Sequence, residues 1–83
     1  MFTPAATFTH GNAMQQMAAG IAAIDGGQTS VSFSQTTQID SSAVVCMIAW
    51  QKHAKQIGKT LSFADLPTNL SNLITLYGVG EFV

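Results

Sequence analysis

Asp40-Ser41-Ser42 is the part of the chain with the most chemical content. A carboxylate followed by two hydroxyls suits the start of a helix, because each side-chain oxygen can accept from the free amides of the first turn. Read structurally, the triplet is a plain cap. Read chemically, Ser41 is a regulatory hydroxyl and a candidate phosphoacceptor, since phosphate is well tolerated at the positive end of a helix dipole. A phosphate brings roughly −2 charge and would disrupt apolar docking beside it. Spacing alone does not choose between the two readings. Other candidates for chemistry are sparse. His10 and His53 are far apart and the four acidic residues are scattered singly, whereas a metal site requires three or four ligands. Both are expected to be surface histidines. The lone Cys46 excludes an internal disulfide and falls on an apolar stripe, so it reads as a buried thiol; a nucleophile needs exposure and a lowered pKa. No Walker-type loop is present, and Gly78-Val79-Gly80 reads as a helix stop. Neither an enzyme nor a metal or other cofactor is expected.

The elements that position these groups follow from periodicity. A first strand is expected around Ala6–His10, with the segment before Ala6 as an added edge strand. Asn12 is placed as the cap of a first helix whose apolar face is Met14, Met17, Ala18 and Ile21, stopped at Asp25-Gly26-Gly27. Val31 and Phe33 alternate with Ser30, Ser32 and Ser34 as a short strand. The second helix runs from the Asp40 cap to Gly58. Its stripe of Ala43, Cys46, Met47, Trp50, Ala54 and Ile57 is the natural core face. The other face is Val44, Ile48, Gln51, Lys52 and Lys55, apolar at its start and polar towards its end. Val44, Val45 and Ile48 are therefore expected on or beside the solvent side, next to the cap, as a contact surface. Leu61 and Phe63 give a further strand. A third helix starts at Leu66-Pro67, buries Leu66, Leu70, Leu73, Ile74 and Tyr77, and ends at Gly78 with Val79 packing back. This alternation implies an α/β fold, a small sheet of about four strands with three helices against it.

Composition narrows the function classes. Eighty-three residues make one domain, and a chain this short hides only about 60% of the surface its unfolded form exposes. Partner binding would add stability by mass action. Only 8% of residues are charged, against about 25% in an ordinary soluble domain, which suits a surface that spends its time covered. That surface would serve a homodimer as readily as a heterocomplex. The three lysines, Lys52, Lys55 and Lys59, share one short stretch and there is no arginine; nucleic-acid binding needs a basic stripe, so no nucleic-acid partner is expected. A basic start followed by a long apolar run is missing, so no signal peptide is expected. The apolar run Ala43–Trp50 is far short of the roughly 20 residues that span a bilayer. The expected location is the cytoplasm, with the membrane reached only through a partner.

With these segments in place, Asp40-Ser41-Ser42 and the apolar helix ending in Lys55-Gln56-Ile57-Gly58 resemble the STAS domains of anti-sigma factor antagonists and transporter-associated proteins. Ala49-Trp50, Leu66-Pro67-Thr68-Asn69-Leu70 and Leu76-Tyr77-Gly78-Val79 narrow the resemblance to the MlaB type. It covers about Ala6 to Phe82 and is strongest from Asp40 onward. The resemblance implies a STAS-like fold and a non-catalytic, cytosolic accessory subunit. It would bind and support the ATPase subunit of an Mla-type phospholipid ABC transporter, which maintains outer-membrane lipid asymmetry in Gram-negative bacteria. Partner contact would then involve Asp40, Ser41, Ser42, Val44, Val45 and Ile48, with Ser41 as the polar contact and Asp40 shaping the turn. The alternative it implies is an anti-sigma factor antagonist phosphorylated on Ser41. Those antagonists commonly carry Gly after the two serines, where this chain has Ala43, a departure that favours the transporter branch.

Overall fold

In the computed structural model, which describes residues 1–80 and 83, the chain runs β1 (Thr7–Phe8), α1 (Ala13–Asp25), β2 (Ser30–Ser32), β3 (Gln38–Ile39), α2 (Ser41–Gln56), β4 (Ser62–Ala64) and α3 (Thr68–Tyr77). Glu81 and Phe82, where the stretch carrying the resemblance ends, lie outside the described residues. The α/β class is as expected. The strands, however, form two parallel pairs, β1 with β3 and β2 with β4. Parallel neighbours cannot be joined by a tight turn; the connection from β1 to β3 contains α1, and that from β2 to β4 contains α2. The segment before Ala6 does supply an edge. Phe2 bridges Val31 in parallel, its amide donating to the Ser30 carbonyl at 3.0 Å and its carbonyl accepting from Ser32 at 2.9 Å.

Trp50, on α2, is the centre of the core. It is fully buried and meets the Phe2 ring edge-on at 5.5 Å and the Phe8 ring at 5.8 Å, spacings at which aromatic pairs attract beyond simple burial. Its indole Nε1 donates to the Met17 carbonyl of α1 at 3.0 Å, so the one polar atom of the ring is satisfied. A Cβ on Gly20 would stand 2.3 Å from Trp50 Nε1 and Cε2. The two helices therefore cross at a point that has no room for a side chain.

That crossing corrects the expected phase of α1. Its inward face is Met17, Gly20, Ile21 and Ile24, with Gly20 and Ile24 buried, while Met14 is 87% exposed and Ala18 also faces out. Asn12 does begin α1 but its side chain makes no cap bond. Instead its Oδ1 accepts from the Thr9 amide at 3.0 Å and its Nδ2 donates to the Thr7 carbonyl at 2.7 Å, closing the preceding turn. On α2 the expected stripe is buried from Ala43 to Ala54, but Ile57, already past the last helical residue, is exposed. On α3, Leu70 and Ile74 are buried, whereas Leu66 before the first turn and Tyr77 at the last are exposed. Val31 and Ser32 of β2 and Phe33 just after it are all buried. The Ser32 hydroxyl donates to the Asp65 carboxylate at 2.8 Å, which offsets its removal from water.

All three helices stop in the same way. In α2 the Lys59 amide reaches the Ala54 carbonyl at 2.8 Å and the Gly58 amide reaches Lys55 at 3.1 Å; in α3, Val79 and Gly78 repeat the pair onto Ile74 and Thr75, and in α1, Gln28 and Gly27 do so onto Ala23 and Ile24. This paired closure satisfies the last carbonyls. It requires a left-handed residue, which Gly78 supplies at φ 66°. Val79 then packs back against the core.

Candidate functional site

The start of α2 is fixed by its cap. Asp40 Oδ1 accepts from the Ser42 amide at 2.8 Å, as the sequence predicts. Its second oxygen accepts from the His10 amide at 2.9 Å and lies 3.1 Å from His10 Nδ1. The cap thus ties α2 to the turn after β1, a link across 30 residues that spacing did not reveal. Donation from the His10 amide draws the Asp40 carboxyl down from 3.8 to about 2; partial desolvation opposes this, and bonds from Ser42 and the His10 ring add to it. The folded value lies below the ordinary one, so the stabilisation is complete above the ordinary value and lost as pH falls through the folded one. Asp40→Asn keeps an oxygen for the Ser42 amide but not the charge. It is expected to flatten the acid limb of stability between pH 3.8 and about 2. Urea midpoints measured against pH check this, and superimposable acid limbs would refute it.

Beyond the cap, Ser41, Val44, Val45 and Ile48 line a groove of about 350 Å³, closed on its far side by Tyr77 and Val79 from the end of α3. The expected contact residues are therefore neighbours, but not equals. Val45 is 59% exposed and Ser41 is exposed, whereas Val44 is 3% exposed, correcting its expected place on the solvent side. α1 and α3 both pack against α2, and flanking on two sides buries a wider arc than one stripe. Val44 forms the floor of the groove, Ile48 is half-buried, and Ser42 is half-buried with its amide held by Asp40. Tyr77, 51% exposed, was assigned to the core by spacing and instead stands at the rim. A second recess of about 170 Å³, lined by Ile48, Gln51, Lys52 and Lys55, continues along the same helix.

The remaining reactive groups lie elsewhere. Cys46 is fully buried, its Sγ 3.6 Å from the Ala13 carbonyl, and burial pushes its pKa from 9.0 up to about 11. A thiol so placed is not a nucleophile. Each histidine has an acidic neighbour: His10 meets Asp40, and His53 Nε2 lies 2.7 Å from Asp25 Oδ1. Among the described residues no three His, Cys, Asp or Glu side chains come together as a metal site would require. Among the described residues no helix is long and apolar enough to cross a membrane.

A buried aromatic core, a well-capped central helix and an apolar groove beside that cap define a small α/β domain suited to protein contact. A family model described as "Mlab, STAS domain" matches residues 5–83. The chain belongs to the MlaB-type STAS family, a family that is generally non-enzymatic. Searches of curated proteins and of solved structures returned no match.

Proposed function

We propose that this protein is an accessory subunit that docks onto the nucleotide-binding ATPase of an Mla-type phospholipid ABC transporter, in the cytoplasm at the inner membrane. Family membership supports the choice of partner class. The observation that carries the docking site is the apolar groove with the exposed Ser41 hydroxyl on its lining. Asp40 holds the helix start, Ser41 is the polar contact, and Val45 and Ile48 present apolar surface over Val44. The domain would favour one state of the ATPase by binding it better than the other, and would contribute no catalytic group.

The test is co-purification with the ATPase. Ser41→Glu adds a charge at a position where the helix dipole favours it, so folding is expected to survive. Apolar docking beside it would be opposed, with affinity falling at least about tenfold. Unchanged recovery of the complex would remove Ser41 from the interface. The exposure of Ser41 on the first turn of α2 favours one second reading, an anti-sigma factor antagonist switched by phosphorylation there. Phosphate found on Ser41 after incubation with a cognate kinase and ATP would select it over the transporter subunit.

A further inference from the structure

Charge in this chain is scarce, and nearly all of it that is described is already engaged. Asp25 meets His53, Asp40 is held by His10 and Ser42, and Asp65 accepts from Ser32. Lys59 donates to the Ile24 carbonyl at 3.0 Å. Lys52 and Lys55 are the exception. Both are exposed, and neither has a carboxylate partner among the described residues. They lie three residues apart on one helix face, where like charges repel mildly. A lysine in the last turn also complements the helix dipole, which accounts for Lys55 but not for a second lysine a turn earlier. Both line the recess that shares Ile48 with the apolar groove.

The two recesses therefore make one track along α2. Its apolar half starts at Ser41, and its other half ends between the Lys52 and Lys55 ammonium groups, which have no carboxylate partner among the described residues. From residue 41 to residue 55 a helix rises about 21 Å, the length of a helical segment of about 14 residues laid alongside. The lining residues recur at helical spacing, which offers grooves to the ridges of another helix.

Building on the docking surface proposed above, we infer that this track takes an amphipathic helix of a partner protein, apolar where it crosses Val45 and Ile48 and acidic where it reaches Lys52 and Lys55. The lysines lie at one end of the track only, so the acidic end of the bound helix sits there, and that fixes its direction. An anionic membrane surface is the weaker fit. Two lysines supply only about 2 kcal/mol of attraction to such a surface, and the net charge of the chain is −1.

Two designed helical peptides test this without the ATPase. They share one stripe of leucines at i, i+3, i+4 and i+7 and differ only in carrying a glutamate pair or a lysine pair at one end. Fluorescence anisotropy at low salt is expected to show the glutamate peptide binding at least about tenfold more tightly. Lys52→Glu combined with Lys55→Glu should reverse the preference, and amide shifts should map to Val45, Ile48 and Lys52. Equal affinities, absence of binding by both peptides, or stronger association with phosphatidylglycerol vesicles than with the glutamate peptide would each overturn the inference. Loss of ATPase co-purification on Ser41→Glu is a separate result, so either idea can fail while the other stands.

Discussion

Gly20→Ala is expected to destabilise the protein by roughly 2–4 kcal/mol although alanine is the better helix former. The new methyl would sit 2.3 Å from Trp50 Nε1 and Cε2, a separation that neither the ring nor the α1 backbone can keep. Overpacking of this kind costs about 1–3 kcal/mol, sometimes more. Moving the ring also strains the bond from its Nε1 to the Met17 carbonyl, and an unsatisfied buried donor costs about 1–3 kcal/mol. Against these, removing a mid-helix glycine returns only about 0.5–1 kcal/mol. In a domain of this size the balance is a fall in Tm of roughly 10–20 °C. Trp50→Phe removes the atoms that clash, so the double variant should be less unstable than the sum of the two single ones. A Tm within about 3 °C of wild type for Gly20→Ala, or strict additivity with Trp50→Phe, would show that this contact does not set the helix crossing.

Val44 and Val45 are adjacent in sequence, and aspartate at either should produce opposite failures. At Val44, 3% exposed, the substitution buries a carboxylate with no partner, at a cost of several kcal/mol. That is comparable with the whole stability of a chain this long, about 4–12 kcal/mol, so Val44→Asp is expected to be unfolded by circular dichroism. At Val45, 59% exposed, the same change should alter stability by about 0.5 kcal/mol or less. Yet it places a charge on the rim of the apolar groove, where ATPase binding should be lost. A folded Val44→Asp would contradict the packing of α2 between α1 and α3, and a binding-competent Val45→Asp would contradict the docking surface.

The pair also shows what could be read from the sequence. The second helix was legible from Asp40 to Gly58 because caps and a repeating apolar stripe agree there. Hydropathy alone put Val44 on the water side because a periodic pattern finds one face, and α2 is covered on two. The phase of α1 was misread for a related reason: its centre of contact is Gly20, a residue with no hydropathy of its own, so the pattern was drawn through Met14 and Ala18. β3 went unseen because two residues, Gln38 and Ile39, are too few to alternate. Asp40 could be recognised as a cap from its neighbours, but its tie to His10 could not, since that contact joins distant parts of the chain. The groove residues contributed by α2 were visible as a group. Tyr77 and Val79, its opposite wall, depended on how α3 comes to rest.

The pairing of β1 with β3 spans only two residues on each strand, and it runs straight into the cap: the Asp40 amide donates to the Phe8 carbonyl at 3.3 Å. The front of the central helix thus hangs on a ladder of two residue pairs, while its middle is fastened to α1 through Trp50. Because the Asp40 amide bonds to β1, opening of that ladder would also loosen the cap. A ligand that needs the cap in place draws the strands together as it binds and, by reciprocity, binds more weakly whenever they part. On the docking proposed above, affinity would then be adjustable from the edge of the domain, without any change to the groove itself.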